Sequence, residues 1–74
     1  MRFVFAPAED NPYDWRIVYG LGGALEERGH QVIMVPPTEY TLDNLRNADI
    51  ILDVNRSRPG WLPSNVIHIA WVQD

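Results

Sequence analysis

The sequence predicts an α/β fold: a Rossmann-like open parallel sheet, one domain over residues 1–74, with strand order 3-2-1-4. Three observations lead there. Four short apolar runs alternate with segments of helical or turn character, the alternation expected of a parallel sheet with crossover connections. The segment after the first run repeats apolar residues every three or four positions, whereas the runs themselves are too short for helices. The last run, His68-Ile69-Ala70-Trp71-Val72, leads straight into Gln73-Asp74, where a sheet of this kind ordinarily continues. The chain therefore reads as an incomplete domain, the first part of a larger protein.

Residues 2–6 form the first strand, closed by Pro7. Asn11-Pro12 then supplies a cap residue and a proline in the first helical position, with Asp14 in the first turn. Trp15, Val18, Leu21, Gly22 and Leu25 make one apolar stripe opposite Arg16, Glu26 and Glu27, and Arg28-Gly29 closes the helix. His30 sits at that exit, where the helix terminus favours a positive charge. Residues 31–35 are rich in β-branched side chains and halted by Pro36-Pro37, which makes them the second strand. Thr41 is placed to cap a short helix that turns Leu42 and Leu45 inward. Residues 50–54 are the third strand, apolar on both faces except for Asp53, whose carboxylate is expected to meet backbone amides at the rim. Two prolines and a glycine exclude a regular helix from residues 55–65, so this crossover is irregular and pinned by Trp61 and Leu62. Residues 66–72 are the fourth strand.

Composition excludes several classes of function. With no cysteine there is neither a disulfide framework nor a thiolate metal site, and two separated histidines do not make a metal cluster. Six basic residues spread through a chain of net charge −4 give no cationic surface for nucleic acid. The opening apolar stretch is too short for a signal peptide, and no run approaches a membrane span, so a cytoplasmic setting is expected. A chain of this length buries only roughly 60% of the surface its unfolded form exposes, which makes its stability marginal.

In the order 3-2-1-4 the chain reverses direction between strands one and four, and open α/β sheets bind ligands outside the carboxyl ends of the strands at such a reversal. Residues 9–11, 55–58 and 73–74 then line one cleft. Asp10 and Asp74 are the candidate catalytic bases there. Asn11, Asn55, Arg56, Arg58 and Gln73 are the candidate substrate-binding residues, the two guanidiniums being natural donors to carboxylate, phosphate or sugar hydroxyls. Gly20-Leu21-Gly22-Gly23 lies inside the helix and fails the spacing of a dinucleotide fingerprint, so Gly22 is read as letting the helix sit close to the sheet. His68, between Ile67 and Ile69, is read as a hydrogen-bonded core residue. Trp71 and Ile69 would form an exposed apolar patch and promote self-association if no helix covers them.

Several segments together resemble a family. Arg2-Phe3-Val4-Phe5, the helix end Leu25-Glu26-Glu27-Arg28-Gly29-His30-Gln31-Val32, Asn47-Ala48-Asp49-Ile50-Ile51-Leu52, and the close from His68 to Asp74 look like the amino-terminal domain of GT-B glycosyltransferases. That close, following Arg58-Pro59-Gly60-Trp61-Leu62-Pro63, is particularly similar to the spore-maturation type. The resemblance implies two Rossmann-like domains facing across a cleft. The first would bind the acceptor, and a carboxyl-terminal partner domain would bind the nucleotide-sugar donor, so that this chain holds no cofactor and is inert alone. In place of the glycine-rich loop found after strand one in many relatives, this sequence has Pro7-Ala8-Glu9-Asp10-Asn11-Pro12, which argues against diphosphate contact there. The alternative is a small non-catalytic α/β ligand-binding or regulatory module that acts by association.

Overall fold

The structure, a computed structural model, describes residues 1–7, 12–54 and 56–71, the side chains of residues 12–14 excepted. The chain runs β1 (Arg2–Ala6), α1 (Pro12–Glu27), β2 (Gln31–Met34), a 3-10 turn (Pro37–Glu39), α2 (Leu42–Leu45), β3 (Ile50–Val54) and β4 (Ile67–Trp71). Every strand pair is parallel. The α/β class and the parallel sheet stand as the sequence predicts.

The strand order is β2-β1-β3-β4, which corrects the expected 3-2-1-4. Burial explains the difference. β3 is enclosed from Ile51 to Asp53, whereas β2 exposes Gln31 and Met34. The order 3-2-1-4 would leave the more apolar strand at an edge. Between β1 and β4 it has a neighbour on each side, and the shorter strand that ends against Pro36-Pro37 takes the edge instead. The reversal of the chain thereby moves from β1/β4 to β1/β3, as in the other common doubly wound order.

Side chains alternate along β1 and β3 and so feed two cores. Val4 and Ile51 join Val35, Leu45, Ala48, Leu62 and Val66 on the α2 face. Phe5 and Leu52 join Val18 on the α1 face, with Phe3, Ile17, Leu25 and Val32 around them. A Cβ on Gly22 would stand 3.4 Å from Val32 Cγ1 and 3.7 Å from Phe5 Cε2, so the helix does approach the sheet there. Gly29, at φ +87°, ends α1, and the His30 amide reaches back to the Leu25 carbonyl at 3.1 Å.

Smaller expectations change. Leu21 and Leu42, expected inward, are exposed, and Leu45 is the buried residue of the four-residue α2. One helical turn has room for one inward position. Thr41 stands at the cap but makes no side-chain bond to the helix. In the crossover Leu62 is buried and Trp61 is exposed, so the second half of the Trp61-Leu62 pair does the pinning. The Arg58 guanidinium closes the same loop, donating to the Val66 and Pro63 carbonyls at 2.8 Å each. Along β4, Ile67, Ile69 and Trp71 are exposed; Ile69 stands opposite Leu52, on the α1 face.

Candidate functional site

Among the described residues Asp53 is the charged side chain that is fully buried, 0% exposed. A carboxylate left bare in such a place costs several kcal/mol, so its partners organise the region. Register sets it beside Ala6 at the end of β1 and Ala70 on β4. It therefore stands at the carboxyl ends of β1 and β3, where the chain reverses.

Three side chains from three segments answer Asp53. Tyr40, just after the 3-10 turn, donates its hydroxyl to Oδ2 at 2.5 Å. His68 Nε2 is 2.6 Å from the same oxygen. Arg56 Nη1 is 3.4 Å from Oδ1. His68 pairs with Ile51, two places before Asp53 on the same face, so its imidazole reaches diagonally along the strands. An ionised carboxylate only accepts, which assigns a proton to Nε2 and, in the neutral ring, leaves Nδ1 as an acceptor. The imidazole is nearly enclosed, with its side chain 4% exposed.

Tyr40 joins this buried network to the surface. Its ring carries the Arg56 guanidinium 4.4 Å from the centroid and meets Trp61 edge-on at 5.8 Å and 73°. Burial first, then the hydrogen bond and charge of Asp53, push the phenol above its ordinary value near 10, against an opposing effect of Arg56. Tyr40 consequently stays protonated and donating at neutral pH.

The arrangement defines roles. Oδ2 of Asp53 already accepts two short bonds, so this carboxylate anchors its neighbours and is not a free base. Arg56 is a partly exposed cation, its side chain 36% exposed. Arg58, by contrast, spends donors on the crossover carbonyls. Asp10, Asn11, Asn55, Gln73 and Asp74 lie outside the described residues. Asp53 was expected to meet backbone amides; side chains take that part instead. The expected order 3-2-1-4 sets Asp53 and His68 on opposite edges of the sheet, so their pairing follows from the observed β3-β4 adjacency, while His68 is the hydrogen-bonded strand residue that the sequence predicts.

A second feature is a groove of about 220 Å³ between α1 and β2, lined by Val18, Tyr19, Gly22, Val32 and Met34, with Glu26 also on its wall. It opens on the α1 side, away from Asp53, and brings no set of polar groups together. Among the described residues no three His, Cys, Asp or Glu side chains stand together to hold a metal, and no helix is long and apolar enough to cross a membrane. No protein-family model, no curated protein and no solved structure matches the chain.

Proposed function

We propose that this chain is the acceptor-side half of a GT-B glycosyltransferase, binding a polar acceptor at the carboxyl rim of β1 and β3 and inert by itself. The observation that carries this reading is Arg56: a half-exposed guanidinium held by a buried carboxylate and laid on an aromatic ring, at the rim beside the reversal. The resemblance of the sequence supplies the reaction class, and the parallel sheet is the scaffold that class uses. In this scheme a cytoplasmic nucleotide-sugar donor binds a carboxyl-terminal partner domain. Arg56 orients acceptor hydroxyls, and Asp10 or Asp74 removes the hydroxyl proton as that oxygen attacks the anomeric carbon, whose bond to the nucleotide phosphate breaks so that the nucleotide leaves with the electron pair.

A second reading is a non-catalytic α/β module that binds a metabolite or a regulatory partner. It is favoured by the saturation of Asp53, since the buried carboxylate at the described rim already accepts two short bonds. Amide NMR with added sugars tests both. Binding at the rim moves the amides of Ala6, Asp53 and Val54 and leaves those of Arg2, Gln31 and Asp49, at the opposite ends of the strands, in place. Shifts confined to the opposite ends defeat both readings. Rim binding, joined to absence of sugar transfer when the chain is supplied within any longer native protein, leaves the module alone standing.

A further inference from the structure

We infer that Trp61 and Arg56 form a recognition platform for an anionic sugar, a pyranose bearing a carboxylate or a phosphate; the inference rests on the rim being a binding site and names what it binds. Trp61 is 44% exposed although Leu62 beside it is buried. The crossover is already closed by Leu62 and by the two carbonyl bonds of Arg58, so the loop has an anchor without the indole. Exposure does not leave the indole unoriented. It packs edge-on against Tyr40, whose hydroxyl is in turn fixed by Asp53.

Arg56 lies on the same tyrosine ring, which stiffens its long side chain and presents the planar fork. Its contact with Asp53 is long at 3.4 Å, and that carboxylate already takes shorter bonds from Tyr40 and His68. The Arg56 side chain is 36% exposed, so its guanidinium can meet an outside anion in the bidentate manner that carboxylate and phosphate allow. Tyr40 touches both groups, so indole and guanidinium are held by one shared ring. The C–H face of a pyranose covers the indole while its acid meets the guanidinium. Neutral sugars use only the first contact, and inorganic phosphate only the second. The chain's net charge of −4 opposes anions at long range, so the affinity comes from these contacts.

The experiment is an NMR titration of the ¹⁵N-labelled chain, following the Trp61 indole N–H and the Arg56 side chain, with glucuronate, glucose 6-phosphate, glucose, inorganic phosphate and AMP as separate probes. Glucuronate or glucose 6-phosphate is expected to shift both signals saturably, and the tighter of the two identifies the acid. Arg56→Gln should weaken that ligand by about tenfold and leave glucose unchanged, with Arg56→Lys in between. Trp61→Phe, which keeps a ring against Tyr40, should weaken both sugars alike. The platform is overturned if neither acid moves Trp61, if inorganic phosphate reproduces the whole response, if AMP binds tighter than both acids, or if Arg56→Gln binds as the parent does. Saturable binding of the acid with no sugar transfer in any longer native protein keeps the platform and removes the transferase.

Discussion

β3 and β4 are five residues each and pair in parallel from Ile50 with Ile67 to Val54 with Trp71, yet β3 buries Ile51, Leu52 and Asp53 while β4 leaves Ile67, Ile69, Ala70 and Trp71 exposed. Backbone pairing and burial are separate achievements. A strand is buried when something covers its faces, and the covers here are unevenly spread. α1 reaches Phe5, Val32 and Leu52 on one face, and α2 with the crossover reaches Val4 and Ile51 on the other. Ile69, next to Leu52 on the α1 face, lies beyond that cover. The contrast can be broken with one pair of variants. Ile51→Ala should cost about 3 kcal/mol, a large share of the stability of so small a domain, and Ile69→Ala less than about 1 kcal/mol, both read from denaturant midpoints. Equal costs would mean that β4 is covered in solution. The bare strand should also make the chain associate, with light scattering rising with concentration and Trp71→Ser lowering it.

The same two strands are tied together through Asp53 and His68, and here the expected effect is nearly as large. Asp53→Ala strands the Tyr40 hydroxyl and His68 Nε2 in a nearly closed site and should cost about 3 kcal/mol. Asp49 is the comparison at the amino-terminal end of β3. Its Oδ2 accepts the Arg2 amide at 2.7 Å in an exposed setting, so Asp49→Ala should cost about 1 kcal/mol or less. A similar loss at both positions would contradict the central role given to Asp53.

Tyr40→Phe removes one of the bonds to Asp53 and should cost about 1 kcal/mol at neutral pH, with an alkaline signature. The phenol titrates higher in the folded chain than its ordinary value near 10. Below pH 10 both folded and unfolded chains hold this proton, and the stabilisation is fully present. Above it the unfolded chain releases the proton first, so stability falls as pH climbs toward the folded value. Denaturation midpoints should therefore drop more steeply above pH 10 in the parent than in Tyr40→Phe. Parallel curves would show that Tyr40 titrates alike in both states.

What could be read in advance follows from the range of the interactions concerned. The helix from Pro12 to Glu27 was legible because its stripe and the glycine stop after it are local, and the four strands because short apolar runs bounded by polar or proline residues are local too. Strand order is not local. It depends on which strand most needs two neighbours, and the signal for that is spread over two strands: the continuous apolar run of β3 against a β2 with polar Gln31. At the site, Arg56 was legible as a rim cation. Its support from Tyr40 was not, because that contact spans sixteen residues and depends on the turn at Pro36-Pro37 returning the chain over the sheet. Leu62 and Trp61 looked interchangeable as anchors until packing chose between them.

The smallest effect separates the two sides of α1. Gly22 and Gly23 are adjacent helical glycines, each costing about 1 kcal/mol of helix propensity relative to alanine. A methyl on Gly23 meets nothing within 4 Å, so Gly23→Ala should recover most of that amount. On Gly22 the methyl would touch Val32 at 3.4 Å and Phe5 at 3.7 Å, the closer contact lying at the tight limit of ordinary packing. There the propensity gain is offset by pressure on the sheet, and Gly22→Ala should leave the melting temperature near that of the parent while Gly23→Ala raises it by a few degrees. If Gly22→Ala gains as much as its neighbour, the helix has room to lift, and the close approach of α1 to β1 and β2 is not what fixes its height on the sheet.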